Sequence, residues 1–329
     1  MKPVLVTGAT GFIGGHLAQR LLGEGIPVRL LVRDPQRLSA ALQQGAQIYV
    51  GDLTQPDSLP AAVRGVGRVF HCAANVRTWD QRESYWQVNV HGLGHLLDAL
   101  AQAPELPERF VHFSSVDVYG FPKEPAHENA RLQPTGFGYG DSKQAAEELL
   151  CRRATEMHLP WTILRPTNVM GPGSPFIERI GSEIRSGLML KVDGGEAHCG
   201  YLDVQNLVDV ALWAAHNPSA ESEIYNVRDP VSISWAQFLR DLRQGLRGRG
   251  VILNLPYALA MGAAQVIAAP YGWLRLRAEP LLHPLLVQIF GRTCGHSLEK
   301  LQAAGAPLGR IPYAQSLQMA LGLETPPAR

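Results

Sequence analysis

The first half of the chain alternates short β-branched runs with longer stretches of helical period. Val4-Leu5-Val6-Thr7 is a charge-free run, and strand-like segments follow at Val28–Val32, Gln47–Val50, 69–72, 110–113 and 161–164. Between them apolar residues return at three- and four-residue intervals, as in Gly92–Ala101 and 142–156. This alternation predicts an α/β architecture: a doubly wound parallel sheet covered by helices on both faces. The order loosens after Pro172. Helical patterns at 176–186 and Trp235–Leu246 flank a strand-like piece at Glu223–Val227, and the last third is rich in helix, glycine and proline. Residues 1–172 are therefore expected to form one sheet domain. Residues 173–329 form a smaller, mainly helical substrate-binding portion on the sheet's carboxyl edge, with 199–227 returning to the sheet.

Composition narrows the class. The chain has 329 residues, 46% hydrophobic and 18% charged, as in a globular enzyme. A formal charge of +1 with no basic tail argues against a nucleic-acid partner. Arg240, Arg243, Arg247 and Arg249 cluster at near-helical spacing, which reads as a solvated helix face. Cys72, Cys151, Cys199 and Cys294 lie far apart, with neither a metal nor a redox spacing, which fits a reducing cytoplasm. A first strand at Val4 leaves no room for a signal peptide. Residues 251–274 carry no charge, but Pro256, Gly262, Pro270 and Gly272 interrupt them. A spanning helix is not expected, and a buried helix or a peripheral membrane contact is left open.

The candidate chemistry begins at the first turn. Gly8-Ala9-Thr10-Gly11-Phe12-Ile13-Gly14 follows the first strand and opens a helical pattern. Glycines there let the backbone approach a pyrophosphate, and the helix presents unpaired N–H groups and its positive dipole end. This is a Rossmann-type dinucleotide cradle. A second signal is Tyr139-Gly140-Asp141-Ser142-Lys143, where Tyr139 and Lys143 share one helix face. A phenol near pKa 10 is a poor acid–base group unless something favours the phenolate, and a lysine ammonium one turn away can contribute. Phe113-Ser114-Ser115 closes the preceding strand, and a hydroxyl there can hold a substrate oxygen beside the tyrosine. Ser114 competes for that role, and Ser115 is favoured by register.

With these residues in view, the chain resembles the extended short-chain dehydrogenases/reductases, the superfamily of NAD-dependent epimerases and dehydratases. The likeness spans nearly the whole chain. Gly51-Asp52-Leu53 is similar to the family's adenine-contacting turn, His71-Cys72-Ala73-Ala74 to the turn after its fourth strand, and Asn89-Val90-His91-Gly92 to its asparagine helix. Ser115 stands four residues before Tyr119 of Val118-Tyr119-Gly120, as the family's catalytic Ser or Thr does. Arg165-Pro166, continuing through Val169 to Gly171-Pro172-Gly173, resembles the segment bordering the nicotinamide. Tyr201-Leu202-Asp203-Val204 and Tyr225-Asn226-Val227 match further markers. The resemblance implies that Tyr139 is the general acid/base, Lys143 its electrostatic partner and ribose ligand, Ser115 the substrate-orienting hydroxyl, and Asn89 a support of the site. Gly8, Thr10, Gly11, Phe12, Ile13, Gly14, Asp52, Leu53, Ala73, Ala74, Pro166 and Val169 would line the cofactor. Asp117 lies where dehydratases carry part of an acidic pair, but Val116 does not complete it, which speaks against a dehydratase. At the end of the second strand Arg33 stands in place of the carboxylate that suits NAD, pointing to NADP. NAD remains the alternative if Asp34 takes the ribose.

The last third bears on the branch. Leu255-Pro256-Tyr257 opens an apolar helical stretch, followed by Trp273-Leu274-Arg275-Leu276-Arg277-Ala278-Glu279-Pro280 and Leu281-Leu282-His283-Pro284-Leu285. This resembles the 3β-hydroxysteroid-dehydrogenase-like enzymes, including those that reduce 2-alkyl-3-oxoalkanoates. The expected reaction interconverts a secondary alcohol and a ketone on an apolar, steroid-like or long-chain 3-oxo substrate. The same residues also suit plain core filling. A nucleotide-sugar epimerase or reductase is the rival, supported by Asn168 and by the scattered cations Arg179, Arg185, Lys191 and Arg292. A non-catalytic NADP-sensing protein is the third reading, disfavoured because Tyr139 and Lys143 are both present. A homodimer is left open.

Overall fold

Eleven strands appear in the computed structural model, which describes residues 1–324, so residues 325–329 of the expected second portion lie outside the described residues. They are β1 Val4–Thr7, β2 Val28–Val32, β3 Gln47–Val50, β4 Arg68–His71, β5 Arg109–Phe113, β6 Trp161–Pro166, β7 Asn168–Met170, β8 Leu188–Val192, β9 Tyr201–Asp203, β10 Glu223–Val227 and β11 Val251–Leu255. Seven form one parallel sheet in the order β10-β6-β5-β4-β1-β2-β3. The order reverses between β1 and β4, so a crevice opens at their carboxyl ends, where doubly wound folds bind ligands. Two small parallel pairs, β8 with β11 and β7 with β9, lie outside this sheet.

The sheet is buried on both faces, which explains why β1 reads as a continuous apolar run rather than an alternating one. Val4 and Val6 pack with Leu17 and Leu21 of helix Phe12–Gly23 and with Leu207 and Ala211 of helix Val204–His216. Leu5 packs on the other face with Leu93 and Leu97 of helix Gly92–Ala101 and with Ala146 and Leu150 of helix Gly138–Met157. A separate core under the carboxyl edge joins helix Pro175–Ser186, helix Trp235–Leu246 and helix Pro284–Gly291 through Ile177, Ile180, Phe238, Leu242, Leu285 and Phe290. The uncharged stretch 251–274 is not one element. It begins as β11, pairs with β8, and becomes helix Tyr257–Trp273 only after Pro256, whose backbone (ψ 143°) is extended rather than helical.

One buried ion pair fixes helix Gly138–Met157 to the sheet. Glu147 lies one turn beyond Lys143, and its carboxylate accepts two hydrogen bonds from Arg165 on β6, from Nε at 2.9 Å and Nη2 at 2.6 Å. The two side chains are only 5% and 3% exposed. Arg165 Nη1 also donates to the Tyr119 hydroxyl (2.6 Å), which donates to Asn226 Oδ1 on β10 (2.8 Å). The pair therefore joins one helix, two strands and the turn after β5. Glu147→Gln keeps the shape but leaves the guanidinium buried without its counter-charge. Urea unfolding should show a loss of about 3–5 kcal/mol, the cost of breaking a buried pair on one side. A loss below about 1 kcal/mol would show that water reaches the pair.

Candidate active site

The cofactor cradle is built by backbone crowding. Gly8 has φ +76°, and a Cβ there would lie 2.7 Å from the Ala73 nitrogen and 2.8 Å from its Cα. A Cβ on Gly14 would lie 2.4 Å from the Gly8 carbonyl oxygen. Only glycine lets β1, the helix start and the turn after β4 approach this closely. Helix Phe12–Gly23 begins at Gly11 with no side-chain cap and no acidic residue in its first turn. Its first N–H groups are thus directed at the crevice, and the dipole favours an anion. Gly11 is exposed, and Thr10, Phe12 and Ile13 are part-buried around it. These residues fit a dinucleotide pyrophosphate.

The remaining expected cofactor residues lie along the same edge. Ala73 donates its N–H to Thr7 Oγ1 at 3.2 Å, and Ala74 follows it, part-buried. Asp52 folds back on its own turn, accepting from the Thr54 amide and hydroxyl at 2.9 Å each. The Leu53 carbonyl pairs with His95 Nδ1 at 2.8 Å. Pro166 ends β6, and Val169 lies in β7. Arg33 follows β2 and is exposed. The Asp34 carboxylate caps the next turn by accepting from the Gln36 N–H at 3.0 Å, and Arg37, which sequence reasoning overlooked, closes that turn.

Beside the cradle lies the tyrosine–lysine pair. Lys143 is buried and donates to the Phe113 carbonyl at the end of β5 (2.7 Å), and its nitrogen lies 5.9 Å from the Tyr139 ring centroid. The Ser115 hydroxyl accepts from the Asp117 N–H at 3.1 Å, and its influence lowers both the Tyr139 phenol and the Asp117 carboxyl. Ser114 Oγ, by contrast, is buried with no hydrogen-bond partner among the described residues. Asn89 sits in a π-helical stretch, Trp86–His91, with its amide fully used. It accepts from the Asn75 N–H (2.7 Å) and donates to the Asn75 carbonyl (3.1 Å) and Ser142 Oγ (2.9 Å). It ties the loop after β4 to the tyrosine helix and is a positioning residue. The Tyr85 ring, 6.4 Å from that of Tyr139, closes one wall, and no sequence signal marks it.

Among the protein's own groups, burial pushes Tyr139 above its ordinary value, Asp117 adds to this, and Ser115 only partly opposes it. The phenol is therefore an acid at neutral pH. Burial also pulls Lys143 down to about 8, against the influence of Glu147, Cys72 and Asp117. Asp117, half-buried in the cleft wall, is pushed up to about 6 by desolvation, against Ser115 and Lys143. His71 and Cys72, taken from sequence as buried strand-end residues, flank Lys143. Burial holds the imidazole neutral, and His71 Nδ1 lies 2.9 Å from Thr7 Oγ1.

Three of the five residues marked for the rival reading are occupied, whereas exposed Arg185 and part-buried Lys191 have no side-chain hydrogen bond or ion pair among the described residues. The Asn168 amide donates to the Cys199 carbonyl. Arg179 pairs with Glu279 at 2.6 Å, and Arg292 stacks on the Tyr257 ring at 3.7 Å. Among the described residues no group of three or more His, Cys, Asp or Glu side chains is placed to hold a metal ion, and all four cysteines are free thiols.

A glycine cradle at the sheet's switch point, with a tyrosine, a lysine and a serine beside it, defines a dinucleotide-dependent oxidoreductase site. Comparison with known proteins gives the family. Residues 4–227 match the NAD dependent epimerase/dehydratase family, and the chain belongs to it. A 4-hydroxy-2-methyl-3-oxo-4-farnesyl-3,4-dihydroquinoline-1-oxide ketoreductase of Stigmatella aurantiaca is 27% identical, over 95% of this chain and 93% of that protein. A 3 beta-hydroxysteroid dehydrogenase/Delta 5-->4-isomerase of Mycobacterium tuberculosis is 30% identical, over 87% of this chain and 80% of its own length. Among solved structures, a UDP-glucose 4-epimerase of Thermotoga maritima with UDP-glucose superposes with a TM-score of 0.77 over 98% of both chains at 19% identity, a likeness of fold.

If Tyr139 is the proton donor in ketone reduction, the two shifted groups set its pH dependence. Proton donation would then develop phenolate charge, which the Lys143 ammonium would stabilise and the Asp117 carboxylate would oppose. The rate should fall as pH rises through about 8, where Lys143 loses its proton. A smaller step down should occur near 6, where Asp117 ionises. Asp117→Asn should abolish the step near 6 and leave the fall near 8. An unchanged profile would remove Asp117 from the proton transfer.

Proposed function

We propose that this oxidoreductase interconverts a ketone and a secondary alcohol on a predominantly apolar 3-oxo or 3-hydroxy compound, steroid-like or long-chain, using NADP(H). Gly8, Thr10, Gly11, Phe12, Ile13 and Gly14 would hold the pyrophosphate, with Asp52 and Leu53 at the adenine. Ala73, Ala74, Pro166 and Val169 would border the nicotinamide, and Lys143 would reach its ribose. The nicotinamide supplies or accepts the hydride. Tyr139 donates the proton to the substrate oxygen, Ser115 orients that oxygen, and Lys143 steadies the phenolate left behind.

The substrate class rests on one observation. Of the five residues that could hold a sugar diphosphate, Asn168, Arg179 and Arg292 are engaged by protein groups, which leaves Arg185 and Lys191. Burying a diphosphate without paired cations would be costly. The ketoreductase and steroid dehydrogenase relatives, whose names carry farnesyl and steroid groups, support the same class. NADP is supported by Arg33 and Arg37 at the end of β2, where the nearby Asp34 carboxylate caps a turn through one oxygen.

A thermal-shift and turnover panel should show stabilisation and reduction with steroid ketones or 3-oxo acyl compounds. Stabilisation and turnover by a nucleotide sugar alone would replace this substrate class. On the active ketone, Tyr139→Phe should lower turnover by about a hundredfold or more with cofactor affinity little changed, as expected for loss of a general acid. Normal turnover would refute the assignment. Arg33→Ala should weaken NADPH binding by about ten- to a hundredfold, the worth of a charged hydrogen bond, and leave NADH binding as it was. Fluorescence titration of both cofactors checks this, and tighter NADH binding by the wild type would reverse the preference.

A further inference from the structure

Helix Tyr257–Trp273 is oriented by its smallest residues. Ala260, Ala264 and Ala268, spaced four apart, form its buried face. Leu259, Val266 and Trp273, spaced seven apart, fall on the opposite face and are 64%, 75% and 85% exposed. Gly262 and Pro270 lie beside that stripe, exposed, and the whole helix carries no charged residue. Elsewhere the chain treats an exposed helix face differently: helix Trp235–Leu246 presents Arg240, Arg243 and Gln244 to water. An exposed helix face on which Gln265 is the one strongly polar side chain belongs against something other than water.

The segment after the helix continues the patch and adds positive charge. Leu274, Leu276 and Leu281 are exposed, interleaved with exposed Arg275 and Arg277. A second segment joins it from the loop after β4, where Val76 and Arg77 are exposed. Trp79 Nε1 donates to the Leu276 carbonyl (3.1 Å), and Thr78 donates to Glu279 (2.5 Å). Glu279, the nearby acid, is already held by Arg179, Thr78 and His283. The loop also borders the catalytic cleft, because the Tyr85 hydroxyl bonds the Arg77 carbonyl (2.8 Å) and the Tyr85 ring lies beside Tyr139.

We propose that this face docks on the surface of an anionic lipid bilayer, with the Leu259–Val266–Trp273 stripe entering the interface and Arg77, Arg275 and Arg277 pairing with lipid phosphates. Apolar side chains, an interfacial tryptophan and flanking arginines are the features that such a surface selects. Among the described residues no helix is long and apolar enough to cross a membrane, so the contact is peripheral. Docking sets the cleft wall at the lipid surface. The use of this arrangement to take up an oily substrate rests on the function proposed above, whereas the docking itself does not.

The test is sedimentation of the full chain with sucrose-loaded vesicles, without substrate or cofactor. Vesicles containing one-third phosphatidylglycerol should carry the protein down, and pure phosphatidylcholine should carry much less. Raising the salt from 0.05 to 0.5 M should release it, because exposed charges are screened. Arg275→Glu with Arg277→Glu should weaken binding by about tenfold or more. Trp273→Ser with Leu281→Ser should do so by a similar or larger factor, with turnover of a water-soluble ketone unchanged. Leu259→Ser with Val266→Ser gives an independent pair should the first misfold. Protein left in the supernatant with anionic vesicles would overturn the proposal, as would binding that none of these variants weakens. So would a dimer in sedimentation equilibrium that Trp273→Ser dissociates, with no vesicle binding, which would assign the face to a second copy. Failure here would leave the oily-substrate reading to its own panel, and failure of that panel would leave the membrane face standing.

Discussion

The bidentate contact between Glu147 and Arg165 decides where the chemistry can happen. Tyr139, Lys143 and Glu147 fall four residues apart on one face of a single helix, so fixing one fixes the others. Glu147 is held by a strand, and Lys143 by the carbonyl at the end of its neighbour. The helix can then neither slide nor roll, which fixes the phenol beside the cradle. The ion pair is buried, and its net contribution to stability is modest because both charges lose water. Its value lies in direction: an apolar contact at the same place would tolerate a shift of register, whereas a two-pronged guanidinium–carboxylate contact does not.

The cradle depends on a different constraint, crowding. Gly8 and Gly14 let three segments of backbone meet where any side chain would intrude, and that contact brings the turn after β4 beside the helix N-terminus. The tyrosine–lysine pair stands next to this turn, its ammonium close enough to influence His71 and Cys72. The cradle and the tyrosine–lysine pair thus share one edge of one sheet. The same enclosure sets the protonation states. It keeps the phenol protonated and brings an ammonium and a carboxyl group into the range where both titrate near neutrality.

The carboxyl-terminal portion has its own core and its own surface logic. Trp235, Phe238 and Phe290 fill it, while alanines seat helix Tyr257–Trp273 and leave its large side chains outside. That combination places an apolar wall beside the cleft. Glu279 joins this wall to the sheet domain through Thr78 and to helix Pro175–Ser186 through Arg179. Burial opposes its charge, yet hydrogen bonds from His283, Thr78 and Arg179 hold its carboxyl down near 2. The join therefore stays ionised throughout the neutral range.

Much of the nucleotide-binding half was legible in the residues. Strands buried on both faces are short apolar runs, glycines mark forced approaches, and Tyr139 and Lys143 declare a shared face by spacing alone. These features follow from local geometry with fixed periods, and the sheet, its parallel sense and the placing of the cradle follow from them. The partners of the candidate residues were not legible, because they come from segments far apart in the chain. Asn168 could be read as a ligand for a diphosphate until the fold brought the Cys199 carbonyl to it. Spacing placed a lysine beside the phenol but could not show how strongly burial, a property of the whole enclosure, opposes the phenolate. In the uncharged stretch at 251–274 the composition was plain, but whether its large side chains faced a core, a substrate or the outside was not. An uncharged helix has no polar side to orient it, so only packing could decide, and here the alanines took the core.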